Sequence, residues 1–205
     1  MADKTDFKKT LKSLYAPGAR QGFHFVDVPP MRFLMIDGEG DPNTAAAYAD
    51  AVETLYSVAY AIKFASKSEL GRDYVVPPLE GLWWADDMST FLTREKSKWK
   101  WTMMLMVPDW IGPKMIDAAI NKVAKKKAPP ALGKMRVEVL EEGRAVQVLH
   151  TGSYDDETPV LAELHNAFIP AKGLTMTGRH HEIYLSDPRK VAAVKLRTVL
   201  RQPVK

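Results

Sequence analysis

The stretch FLMIDGEGDPN, residues 33–43, joins a run of strand-forming residues to a dense group of turn formers. The following residues, about 45–64, carry apolar side chains at helical spacing. These positions are Tyr48, Val52, Leu55, Ala59 and Ile62. The sequence therefore predicts a strand, a glycine-containing turn and a helix in succession.

The same succession appears again about 100 residues later. Residues 145–156 read AVQVLHTGSYDD, and a helix is predicted over about 158–168. Each copy continues with two further strands, LEGLWW (79–84) and 100–107 in the first and HEIYL (181–185) and 194–200 in the second. A period this long indicates duplication of one β-α-β-β unit and not a solenoid.

Two such units predict an α+β fold. We expect two pseudo-symmetric β-α-β-β (SH2-like) halves that form one long antiparallel sheet, with helices on one face and a central ligand groove between the halves. The predicted organisation is an N-terminal arm (1–24) followed by one domain (25–205), made of a first half (about 25–108), a bridging helix (about 109–132) and a second half (about 133–205).

The composition is that of an ordinary globular protein, with 46% hydrophobic and 26% charged residues among 205. The chain has no cysteine, which excludes disulfides and thiolate sites and is typical of a reducing compartment. Its first residues are polar, and no apolar run approaches the roughly 20 residues that span a bilayer. We therefore expect a cytoplasmic location and no membrane association.

The net charge of +4 raises the question of nucleic acid binding. The basic residues are spread along the chain, and only Lys125–Lys127 form a tight run. This run ends a predicted helix, where lysines suit the helix dipole. Direct nucleic acid binding is not expected.

One acid and one phenol mark the second predicted unit. Glu182 and Tyr184 share a face of their strand, because residues two apart in a strand point the same way, while Ile183 points to the other face. Glu182 then either lines the groove or faces solvent on a half-exposed strand. Glu80 holds a similar place in the first unit, where it either frames the groove from the other side or is solvated. A carboxylate among aromatic rings would act as a base or attract a cation.

Aromatic residues are the second candidate signal. Trp83 and Trp84 are adjacent, so at most one of them lines a given groove. Tyr56 borders the apolar stripe of the first helix, Trp110 follows the strand 100–107, and Tyr154 lies in a turn at the start of a helix. Such rings either stack on flat ligands or pack in the core and in turns.

Motifs for metal or cofactor chemistry are missing from the sequence. His180 and His181 are adjacent and diverge on a strand, and there is no HExxH motif. There is no P-loop, dinucleotide fingerprint or Gly-x-Ser-x-Gly elbow. The acidic run Asp155–Glu157 precedes a helix, where acids are common. We predict no metal and no cofactor.

Three motifs taken together resemble one protein family. LEGLWW (79–84), HTGSYDD (150–156) and EIYLSDPRK (182–190) are similar to those of GyrI-like small-molecule-binding proteins, and the resemblance runs from about Phe25 to the C-terminus. It implies two β-α-β-β halves around a groove whose glutamate attracts hydrophobic, often cationic, aromatic compounds. Glu182 is the matching position. Some members are ligand domains of transcription regulators, but the residues before Phe25 leave no room for a helix-turn-helix domain.

The chain most resembles the stand-alone cyclopropanoid cyclopropyl hydrolases within this family. That resemblance implies xenobiotic protection, in which water opens the strained ring of DNA-alkylating compounds inside an aromatic cage. Trp83 and Tyr184 would be cage walls, with Tyr56 and Trp110 as further candidates, and Glu182 would orient or deprotonate the water. The alternatives are a non-catalytic, sequestering drug-binding protein and a gyrase-modulating protein. The natural ligand and the oligomeric state are not predicted.

Overall fold

A single antiparallel sheet organises the computed structural model, which describes residues 4–205. The first three residues of the predicted N-terminal arm lie outside the described part. Within residues 4–205 the sheet has eight strands: β1 (His24–Val28), β2 (Met31–Glu39), β3 (Leu79–Trp84), β4 (Lys100–Met106), β5 (Arg136–Leu140), β6 (Gly143–Thr151), β7 (His180–Tyr184) and β8 (Arg197–Pro203). The predicted α+β class with one long antiparallel sheet is confirmed.

The strand order, β1-β6-β8-β7-β3-β4-β2-β5, reflects the duplication. Exchanging β1–β4 for β5–β8 returns the same order read backwards. The halves also exchange their first strands, because β1 pairs with β6 and β5 pairs with β2. Strands β3 and β7 therefore meet at the centre of the sheet.

The helices are α1 (Phe7–Thr10), α2 (Lys12–Tyr15), α3 (Ala46–Leu70), α4 (Ser89–Leu92), α5 (Pro113–Lys126), α6 (Thr158–Glu163) and α7 (Ile169–Ala171). A π-helical turn, Leu164–Phe168, joins α6 to α7. Helix α3 buries a stripe that includes Leu55 and Ile62 against β2 and β4, and it ends at Gly71, whose φ of 66° suits a glycine. The long helices and α6 thus cover one face of the sheet.

The N-terminal arm covers the other face. Phe7, Leu14 and Tyr15 pack there with residues of β2, β4 and β7 that alternate with those under α3. The arm is also held by Arg201 of β8, whose Nη2 donates to the Leu14 carbonyl at 3.0 Å. The sheet is consequently buried on both sides.

Every helix within residues 4–205 is too short or too polar to span a bilayer.

Candidate functional site

The register of the central strands brings the main candidate residues together. Gly81 lies opposite Glu182, and Trp83 lies opposite His180. Because paired residues of an antiparallel sheet share a face, Trp83, Glu182 and Tyr184 all point towards the helices. Ile183 points the other way into the opposite core.

Hydrogen bonds link three of these side chains in series. The indole Nε1 of Trp83 donates to the Tyr184 hydroxyl at 2.9 Å, and that hydroxyl donates to Oε2 of Glu182 at 2.7 Å. Gly81 makes room for these side chains, since a Cβ there would lie 2.9 Å from Trp83 Nε1 and 3.2 Å from the Tyr184 oxygen. The side chain of Glu182 is 13% exposed. These hydrogen bonds hold the Glu182 carboxylate in one orientation among aromatic rings.

Further rings surround these three side chains. Tyr48 stacks on Trp83 with ring centroids 6.4 Å apart, and Tyr154 meets Tyr184 edge to face at 5.6 Å. Trp99 contacts Trp83 edge to face at 6.0 Å. We call Tyr48, Trp83, Tyr154, Glu182 and Tyr184 the Glu182 cluster. Tyr154 is its most exposed ring.

Burial and the acid shape the electrostatics of the cluster. Burial, followed by the charge of Glu182, raises the pKa of Tyr48 and of Tyr184 far above the usual phenol value. Burial, Glu157 and Glu182 raise the pKa of Tyr154 to about 12. All three phenols therefore stay protonated near neutral pH and can donate hydrogen bonds.

A second carboxyl group lies near the cluster. Glu157 is 3% exposed, and burial followed by repulsion from Glu182 raises its pKa well above the ordinary range. Glu157 thus keeps its proton near neutral pH. The two acids have different environments, because Glu182 is hydrogen-bonded by Tyr184.

Tyr56 and Trp110 lie further out. Tyr56 stacks on the exposed Tyr60 and is close enough to Asp187 and Arg189 for their charges to affect its pKa, which burial chiefly raises. Trp110 stacks on Phe7 and donates from Nε1 to Ser66 Oγ at 3.1 Å. Tyr56 therefore lies on the helix side of the sheet near Asp187 and Arg189, whereas Trp110 belongs to the packing of the arm.

Glu80 does not frame the groove with Glu182, and this corrects the sequence interpretation. Glu80 lies opposite Ile183 and is fully buried on the arm side of the sheet. Its Oε1 accepts from the Tyr15 hydroxyl at 2.8 Å, and its Oε2 lies 2.9 Å from His181 Nε2. The similarity of the two motifs aligned Glu80 with Glu182. In the structure Gly81, one residue later, lies opposite Glu182, and a shift of one residue moves a strand side chain to the other face of the sheet.

Sequence reasoning assigned no site role to Tyr48 and Glu157. Tyr48 was part of the apolar stripe of a helix, and Glu157 was the last acid before a helix. Only the packing of α3 against the sheet brings Tyr48 to Trp83, and only the position of the segment before α6 brings Glu157 near Glu182. The pattern of each residue alone is common to many helices.

Two other features of residues 4–205 bear on ligands. The described side chains include no group of three or more His, Asp or Glu residues placed to hold a metal ion. A surface cleft of about 500 Å³ lies between α3 and α5, lined in part by Phe64, Lys67 and Lys122. None of its lining residues belongs to the Glu182 cluster.

Comparison with known proteins identifies the class. Residues 22–205 match the model of the GyrI-like small molecule binding domain, and the chain belongs to this family. The protein is accordingly a small-molecule-binding domain. Among curated proteins, no sequence matches significantly.

Three solved structures from Listeria innocua are similar over 98–99% of this chain and the whole of theirs. One is an uncharacterized conserved protein with 40% identity and a TM-score of 0.89. Two are described as hydrolases, with 39% and 37% identity and TM-scores of 0.82 and 0.87.

Proposed function

We propose that this protein binds flat aromatic compounds at the Glu182 cluster and hydrolyses them. The observation that supports this most directly is the hydrogen bond from Tyr184 to Glu182, which orients a largely buried carboxylate among stacked and edge-on rings. Two similar proteins described as hydrolases favour turnover over storage. As substrate we propose cyclopropanoid DNA-alkylating compounds, and as role the protection of the cytoplasm from them.

Glu182 acts as the general base in this proposal. It takes a proton from water, while the water oxygen forms a bond to a carbon of the cyclopropyl ring. The ring C–C bond breaks, and its electron pair moves into the conjugated carbonyl of the substrate, whose oxygen takes up a proton from solvent. The proton on Glu182 then returns to solvent, so that one water is added overall.

Positioning supplies most of the remaining catalysis, because a strained ring is already electrophilic. Trp83 and Tyr48 offer faces on which a flat substrate can stack. Tyr184 holds the base and presents its hydroxyl to the same space. The neutral Glu157 leaves the negative charge of the groove concentrated at Glu182. One negative charge bordered by aromatic rings also suits a cationic ligand.

A sequestering protein without turnover is the competing function. The contacts of Trp83 with Tyr48, Tyr184 and Trp99 favour it. A ligand would have to displace these rings on entering, and the rings would then have to move again before the ligand could dissociate, so its dissociation would be slow.

Incubating the purified protein with a cyclopropanoid compound separates the two functions. Ring-opened product that exceeds one equivalent per protein supports hydrolysis, whereas retention of one equivalent of intact compound supports sequestration. Covalent attachment without release would contradict both.

The variant Glu182→Gln tests the role of the base. We expect ligand binding to change little and the hydrolysis rate to fall by about 10²–10⁴-fold, since general-base removal has this effect. The matched control is Glu163→Gln, the same change at an exposed position of α6. An unchanged rate in Glu182→Gln would eliminate the proposed base.

A further inference from the structure

A pair of histidines extends the Glu182 cluster along the same face of the sheet. His180 is two residues before Glu182 in β7, opposite Trp83, and is 8% exposed. The ring of His165 meets the ring of His180 edge to face, with centroids 5.5 Å apart. This face of the sheet therefore passes from aromatic rings to imidazole rings.

Three of the four imidazole nitrogens of this pair lack a hydrogen-bond partner. Both nitrogens of His180 and Nε2 of His165 are buried without one. The nearest acid oxygen, Oε1 of Glu182, is 3.6 Å from His180 Nε2, which is longer than a hydrogen bond. Buried polar atoms in folded proteins are nearly always paired, so three unpaired nitrogens at one place call for an explanation.

The local backbone is also unusual. His165 lies in the π-helical turn Leu164–Phe168, between α6 and α7. Single π-turns inside α-helices are rare and occur frequently at functional sites. This turn brings the ring of His165 into contact with His180.

We propose that His180 and His165 form a polar subsite that recognises a carbonyl, amide or phenol group at one end of an aromatic ligand. This inference rests on the proposed function. The aromatic body of the ligand would lie on Trp83 and Tyr48, and its polar group would pair with the imidazole nitrogens. A neutral imidazole offers one donor and one acceptor, so the pair suits groups that can both give and accept hydrogen bonds.

The charge state of His165 fits this chemistry. Burial and the neighbouring His180 lower the pKa of His165 to about 4, so His165 is neutral under physiological conditions. Neighbouring groups include Glu182 on β7 itself, Trp83 on β3 and Gln202 on β8, whose side chain hydrogen-bonds His165.

Two probes of similar size test the subsite in the full-length protein. 2-Naphthol carries a phenol, whereas 2-methylnaphthalene carries a methyl group at the same position. We expect the wild type to bind 2-naphthol about tenfold more tightly, the effect of one hydrogen bond of ordinary strength. Binding is measured by quenching of tryptophan fluorescence or by calorimetry, so the readout does not require turnover.

The variant His180→Phe keeps a ring and removes both nitrogens. We expect the ratio of the two affinities to fall to about one, while 2-methylnaphthalene binds as well as before. His165→Phe is the second variant, at a partly exposed position, and should reduce the ratio in the same direction if His180→Phe does not fold. His24→Phe, on the edge strand β1, is the matched control and should keep the wild-type ratio.

The outcomes separate this inference from the proposed function. Equal binding of the two probes by the wild type, or an unchanged ratio in both variants, would overturn the subsite while leaving hydrolysis intact. Absence of binding by either probe would count against both proposals. Loss of hydrolysis with the probe ratio preserved would count against the proposed function alone.

Discussion

His181, on the arm side of β7, gives the protein a predictable loss of stability at alkaline pH. Its ring is fully buried, with Nε2 2.9 Å from Oε2 of Glu80 and Nδ1 2.9 Å from Oε1 of Glu142. Burial by itself lowers the pKa of His181, but the charges and hydrogen bonds of Glu142 and Glu80 outweigh burial and raise it from 6.5 to about 9. The folded protein therefore holds an imidazolium ion where the unfolded chain holds a neutral ring near pH 8.

The sign of the effect follows from this raised pKa. The stabilisation is fully present below the unfolded-state pKa of about 6.5 and is lost as the pH rises through about 9. The difference between the two pKa values corresponds to about 3 kcal/mol. We expect the free energy of unfolding to fall by about this amount between pH 6.5 and pH 9.5.

Urea unfolding at half-unit pH intervals measures this fall. In His181→Gln the decrease over the same window should disappear, and His24→Gln should retain it. If His181→Gln does not fold, an NMR titration of the wild-type histidine ring protons gives the pKa of His181 directly. A stability that stays level from pH 6.5 to 9.5, or a His181 ring that titrates below pH 7, would refute the reasoning.

Two further predictions concern packing and the arm. Gly38→Ala should lower the free energy of unfolding by about 1–3 kcal/mol, because the new Cβ would lie 2.1 Å from the buried indole of Trp101. The control is Gly133→Ala, where the new Cβ has no neighbour within 4 Å. Its free energy of unfolding should stay within about 0.5 kcal/mol of the wild-type value in the same urea assay. Tyr15→Phe should cost about 1–3 kcal/mol, because Glu80 loses a buried donor. An equal effect of the two glycine changes, or a neutral Tyr15→Phe, would contradict the packing described.

Local patterns predicted the strands that carry the site. The alternation of side chains along β7 depends only on consecutive residues, and the structure puts Ile183 in the core opposite to Glu182 and Tyr184 as expected. The same rule places Trp83 and Trp84 on opposite faces of β3. The guanidinium of Arg179 lies over the ring of Trp84. Such regularities are properties of the extended chain itself and need no knowledge of its partners.

Pairing between distant strands could not be predicted in this way. The motif match suggested that Glu80 and Glu182 were equivalent, yet the register places Gly81 opposite Glu182. The exchange of β1 and β5 between the halves likewise depends on contacts across more than 100 residues. No short pattern encodes such a choice, because either register satisfies the local preference for a strand.

The buried ions on the arm side explain how this register is selected. In the observed register, the imidazolium of His181 lies between the carboxylates of Glu80 and Glu142, and Arg201 donates to the second Glu142 oxygen at 3.0 Å. A slip of β7 by one residue would turn His181 towards the rings and bring Glu182 to the side of Glu80. Three carboxylates, those of Glu80, Glu142 and Glu182, would then be buried together without the imidazolium between them, which is far more costly than the hydrophobic mismatch alone. The ions that fasten the arm therefore also keep Glu182 facing the groove, even though they contact no residue of the Glu182 cluster.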